Sequence, residues 1–114
     1  MMQDWNSYRS DLLERVGDYA KQSPDVMRGL TTIDNAAAKT GHLAPKIHEL
    51  IALAVAVTTR CDGCISVHTK KAVEHGATLE EISEALGVAI ALNAGAALTY
   101  SARVIETYQQ LPNK

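Results

Sequence analysis

Four residues in the middle of this sequence have the types and spacing of a reactive site. Cys61 and Cys64 form a C-x-x-C pair, His68 follows the second cysteine by four positions, and Glu49 precedes the first by twelve. If Cys61 sits at a helix N-cap, Cys64 falls in the first turn, where unpaired backbone N–H groups and the helix dipole favour a thiolate. His68, at i+4 from Cys64, shares its face and can take the thiol proton. Glu49, arriving on the preceding helix, can orient that imidazole directly or through a water, giving a relay of Glu49, His68 and Cys64. A thiolate with a second thiol three residues away suits peroxide reduction. The attacking sulfur becomes a sulfenic acid, and its neighbour condenses with it to a disulfide. Proximity to the base favours Cys64 as the attacking residue and Cys61 as the resolving one. The reverse order stays open, because the more exposed first cysteine of such a pair is often the nucleophile.

Blander readings compete for the same residues. Cys61, Cys64, His68 and Glu49 have spacing that zinc can use, but structural zinc usually staples separate segments, and this chain carries apolar residues for a core of its own. No metal and no cofactor are therefore expected. Glu49 has a rival role as a surface charge paired with Lys46. His42 and His48 are isolated, and His75 reads as a cation at a helix C-terminus. Glu80, Glu81 and Glu84 fit capping and a solvated face, Asn93 an interhelical hydrogen bond, and Tyr100 and Tyr108 packing.

The elements that must position the four residues read as helices. Trp5, Tyr8, Leu12, Val16 and Tyr19 recur at spacings of three and four, marking an amphipathic first helix. Ser23-Pro24 predicts the N-cap and first turn of a second, with Met27, Leu30, Ile33 and Ala37 on one face and Gly41 as its stop. Pro45 opens a third, striped by Leu50, Leu53, Ala54 and Val57, with Glu49, Leu53 and Ala56 on an adjacent row. Thr58-Thr59-Arg60 turns the chain, and Asp62 favours a new helix start at the cysteines, ending near His75-Gly76. Thr78-Leu-Glu-Glu81 has the form of a capping box before a fifth helix. Asn93-Ala-Gly95 predicts a break or kink before a last segment, and Pro112 marks the tail. The stretch from Ala85 to Ala97 is apolar almost all round and needs cover, which a second subunit would supply.

Composition agrees. At 114 residues the chain is read as one domain over 1–114, with 46% apolar residues, 4% aromatics and no Phe, so its core must be Ala, Leu, Val and Ile. The fold class expected is all-α, a compact bundle of about five to six helices, oligomeric. A net charge of −2, with no basic cluster interleaved with aromatics, disfavours nucleic acid. The longest uninterrupted apolar run, Leu50 to Val57, is short for a bilayer, and the amino terminus has no apolar signal region. No membrane partner and a cytoplasmic location are the expectations.

Glu49, Cys61-x-x-Cys64 and His68, flanked by LAPKIHELIALAVAV and HGATLEEISEAL, resemble the signature of the alkylhydroperoxidase D and carboxymuconolactone decarboxylase superfamily from about Asn35 to Ile105. The resemblance implies an all-helical fold assembled as homo-trimers or homo-hexamers. It also implies an antioxidant thiol peroxidase acting on alkyl hydroperoxides and reduced by a dithiol, dihydrolipoamide on a partner protein. Glu49, Cys61, Cys64 and His68 then take the relay and cysteine roles given above. Alkylhydroperoxidase D is longer and internally duplicated, and has a histidine where this chain has Gly63. The decarboxylase branch lacks the cysteine pair. Two alternatives use the same residues: a disulfide oxidoreductase, and a non-enzymatic redox-sensing or zinc-binding helical module.

Overall fold

The structure, a computed structural model, describes residues 1–113 as five helices: α1 (Trp5–Gln22), α2 (Pro24–Thr40), α3 (Pro45–Thr59), α4 (Asp62–Glu74) and α5 (Leu79–Gln110). The all-α expectation holds. Local chemistry sets the boundaries. The Asp4 carboxylate accepts the Ser7 N–H at 3.0 Å and caps α1. That backbone hydrogen bond holds the Asp4 carboxyl below its ordinary range. Proline occupies the first positions of α2 and α3, where its missing N–H costs nothing. Gly41 (φ 75°) and Gly76 (φ 85°) supply the left-handed residues that close α2 and α4. At the end of α3 the same conformation falls on Arg60 (φ 56°), whose N–H bonds back to the Ala56 carbonyl. Thr78 and Glu81 form the reciprocal capping box that starts α5.

Two local expectations are corrected. Ser23 is the N-cap residue of α2 as expected, but its side chain makes no cap bond; its φ of −138° and ψ of 66° serve the close of α1 as well, with its N–H donated to the Tyr19 carbonyl at 2.9 Å. The break at Asn93-Ala-Gly95 is absent, and α5 runs for 32 residues. Asn93 does not unwind the helix because its amide donates to Ala89 O of its own helix and to Thr58 Oγ1 on α3, both at 2.8 Å. The glycine costs only about 1 kcal/mol of helix propensity, too little to interrupt a helix packed on its neighbour.

α3 is the centre of the packing, lying against α4 on one side and α5 on the other, while α1 lies on α4. Leu53 and Ala56 of α3, Ala72 of α4 and Ala89 of α5 are the buried apolar residues among those described. The radius of gyration is 18.9 Å, against about 13 Å for a compact chain of this length. Much apolar surface stays uncovered, including Val26, Leu30 and Ile33 on α2 and Leu98, Val104, Ile105 and Tyr108 on α5. By length and composition alone, α5 is long and apolar enough to cross a bilayer. No long unbroken apolar run marks this helix in the sequence, because glycine, asparagine and hydroxyl residues punctuate it.

Candidate active site

The turn between α3 and α4 brings the cysteines to a helix start. Cys61 is the N-cap of α4, and its Sγ accepts the Cys64 N–H at 3.1 Å, occupying the place an aspartate or serine oxygen usually fills. Cys61 and Cys64 are joined as a disulfide across a Cα–Cα separation of 5.3 Å. The helix N-terminus thus gives its donor to the Cys61 sulfur, while Cys64 shares a face with His68.

Glu49 and His68 meet across the α3–α4 packing, with Oε2 2.6 Å from Nδ1. The contact is largely shielded, the side chains being 13% and 29% exposed. A carboxylate can only accept, so Nδ1 carries the hydrogen and Nε2 of a neutral ring is left as the free base. Four residues of α-helix set His68 about 6 Å along the axis from Cys64. Among the described residues no hydrogen bond joins His68 to either sulfur, and a disulfide has no proton to offer. Lys46 does not pair with Glu49. It bonds Glu81 Oε2 at 2.8 Å, tying the first turn of α3 to the cap of α5. That ion pair, chiefly, and the Thr78 N–H hold the Glu81 carboxyl below its ordinary range.

The four central residues therefore form two pairs, Cys61 with Cys64 and Glu49 with His68. What holds them in place from outside comes from another helix and is not visible in the sequence pattern. Arg9 Nε on α1 donates to the Ser66 carbonyl at 2.9 Å, and the buried Ser66 hydroxyl donates to Gly63 O at 3.1 Å. Leu12 of α1 lies directly over Gly63: a Cβ there would come within 2.8 Å of Leu12 Cδ2. Of the two residues between the cysteines, Gly63 is the one beneath α1, and any side chain there would require the tip of Leu12 to move aside. The period of α1 indicated its apolar face, of which Trp5, Tyr8 and Leu12 are half-buried while Val16 and Tyr19 stay exposed, but nothing in the sequence says which neighbour that face meets.

Beside the Glu49–His68 pair opens a cavity of about 480 Å³ between α2, α3 and α4. Its polar lining adds Asp34, Asn35, His48 and Lys71, over a floor that includes Ala37 and Ile51. His48, isolated in sequence, thus shares a cavity with the relay pair. His42, His75 and the glutamates at the start of α5 do not line it, and Glu81 serves as cap and ion-pair partner.

The sequence pattern of the carboxymuconolactone decarboxylase family matches residues 24–107. This chain belongs to that family. An uncharacterised protein of Haemophilus influenzae is 48% identical over 108 residues, covering 95% of this chain and 96% of the relative. Among solved structures, an apo carboxymuconolactone decarboxylase family protein from Legionella pneumophila is similar with a TM-score of 0.73 and 35% identity, over 93% of this chain and 95% of that one. A protein from Methanobacterium thermoautotrophicum follows with a TM-score of 0.71 and 29% identity, over 78% and 97%. This carboxymuconolactone decarboxylase family member carries its cysteine pair at the start of α4, the helix that also bears His68.

Proposed function

We propose that this family member is a thiol peroxidase that reduces organic hydroperoxides through Cys61 and Cys64. The observation that carries the reading is the 2.6 Å Glu49–His68 contact on the helix that bears the joined cysteines, one turn beyond Cys64. In the reduced protein His68 takes the Cys64 proton while Glu49 holds the ring. The thiolate attacks the terminal oxygen of R–O–O–H, the S–O bond forms as O–O breaks, and the alkoxide leaves as the alcohol with the proton from His68. Cys61 then attacks the Cys64 sulfenic sulfur, and hydroxide departs as water with the Cys61 proton, leaving the disulfide. A dithiol, dihydrolipoamide on a partner protein in this proposal, returns two electrons and two protons by thiol–disulfide exchange.

A second reading, dithiol–disulfide exchange with another protein, is favoured by the Cys61 sulfur at the N-cap, where a nucleophilic thiolate is stabilised. Assembly as a homo-trimer or homo-hexamer belongs to the proposal. The extended chain and the uncovered apolar faces of α2 and α5 support it, since such faces mark interaction surfaces. The half of α5 that bears Ala89 and Asn93 packs on α3 as part of the site's own scaffold, which favours subunits over lipid as the cover. Hydroperoxide consumption with dihydrolipoamide as donor tests the function. Cys64→Ser is expected to abolish turnover at the sulfenate step. Loss in Cys61→Ser with full activity in Cys64→Ser reverses the roles, and full activity in both rejects the reading.

A further inference from the structure

We infer that the cavity between α2, α3 and α4 binds the organic part of the hydroperoxide and selects molecules bearing a carboxylate, which Lys71 holds. The inference rests on the peroxidase reading for the identity of the reacting group, but its binding half stands on the cavity alone. About 480 Å³ is the size of a site for a small organic ligand, far more than hydrogen peroxide fills. Cys64, His68 and Lys71 lie at i, i+4 and i+7 on α4 and so form one stripe. Along that stripe the Lys71 backbone is about 10 Å from that of Cys64. A ligand with its peroxide at the sulfur and its acid group at the ammonium therefore lies along the line of His68 and the cavity wall.

The charge at the Lys71 end of the cavity gives that end of the ligand its sign. Of two adjacent lysines, Lys70 is neutralised by Glu74 at 3.0 Å, whereas Lys71 lines the cavity without a carboxylate partner among the described residues. Lys71 also sits in the last turn of α4, where a cation complements the dipole, but that role needs no cavity. Glu49 accepts from His68 Nδ1–H and keeps its charge beside the neutral ring, so it opposes an anion at the relay end of the cavity and leaves Lys71 as the place for an acid group. His48 and Asn35 add hydrogen-bonding groups that bond no protein atom among the described residues, and Ala37 and Ile51 provide apolar contact for a carbon chain. Asp34 is the one unpaired acid in the lining. It opposes a carboxylate, and so provides a test of sign.

The test compares a medium-chain hydroperoxy alkanoic acid with its methyl ester, using the full-length protein and a dithiol donor at low salt. The parent is expected to prefer the acid about tenfold in kcat/KM. Lys71→Gln is expected to lower the acid-to-ester ratio about tenfold, and Asp34→Asn to raise it. Equal rates for acid and ester in the parent overturn the inference, as does an Asp34→Asn variant with a reduced preference for the acid. Binding of the redox-inert hydroxy acid to the disulfide form, followed by NMR titration, separates the two claims. Binding that Lys71→Gln weakens, with no peroxide consumed, keeps the site and rejects the peroxidase. Turnover without such binding keeps the peroxidase and rejects the site.

Discussion

Replacing Glu49 with Gln probes the relay with the least change in shape. The carboxylate contacts His68 Nδ1 at 2.6 Å in a largely shielded position. A glutamine keeps the volume but holds the ring less firmly. If its amide turns its N–H₂ toward Nδ1, it selects the wrong tautomer and puts the hydrogen on Nε2, where the base is needed. General-base assistance is worth about 10²–10⁴ in rate, and the residual exposure of His68 argues for the lower end, so a loss of about 100-fold is expected. That is about 2.7 kcal/mol in barrier. The assay is the second-order rate at which reduced protein forms its disulfide on mixing with hydroperoxide at neutral pH. Glu49→Asp, which keeps the charge but shortens the reach, should fall between. Oxidation of the dithiol by a diazene reagent serves as control that the pair can still close. A Glu49→Gln rate within threefold of the parent, with the control unchanged, refutes the relay.

The contacts around the site give further outcomes. Gly63→Ala puts a methyl 2.8 Å from Leu12 Cδ2, a strain of about 0.5–1.5 kcal/mol if Leu12 is pushed off its rotamer, set against about 1 kcal/mol of helix propensity. In a Leu12→Ala background only the gain remains, so thermal melts of the four proteins at one concentration should be non-additive, and additivity counts against the contact. Glu81 has a folded-state carboxyl held below its ordinary value of 4.5, so its contribution is complete above that value and is lost as pH falls through the folded one. Glu81→Gln keeps a capping side chain but removes the Lys46 ion pair, and should flatten the fall in Tm below about pH 5. An unchanged slope would mean that the ion pair contributes nothing. Asn93→Ala removes the bond to Thr58 across α3 and α5 and should cost about 1 kcal/mol in chemical denaturation without loss of helix by circular dichroism.

Helix number and most boundaries were legible because they depend on local chemistry: proline at the starts of α2 and α3, the Thr78–Glu81 box, and glycine at 41 and 76. The row of Glu49, Leu53 and Ala56 was legible for the same reason, since the helical period alone puts the carboxylate beside two residues that are buried. Asn93 was legible as an interhelical hydrogen-bonding group, and only the break expected at 93–95 misled, because the partner that holds the amide in the helix, Thr58, lies 35 residues away. Gly63 could be seen as a departure but not explained, because its cause, Leu12, belongs to another helix. The cavity was illegible for a related reason. Asp34, His48 and Lys71 come from three helices whose relative placement no short-range pattern encodes.

The measurement that bears most directly on the central claim is a single turnover. Fully reduced protein is mixed with one equivalent of an organic hydroperoxide, and both products are followed by mass spectrometry. One equivalent of alcohol and a protein lighter by two hydrogens are expected, with Cys61 joined to Cys64, while Cys61→Ser accumulates a trappable sulfenic acid on Cys64. Unreacted hydroperoxide beside a fully reduced Cys61–Cys64 pair would contradict the peroxidase reading.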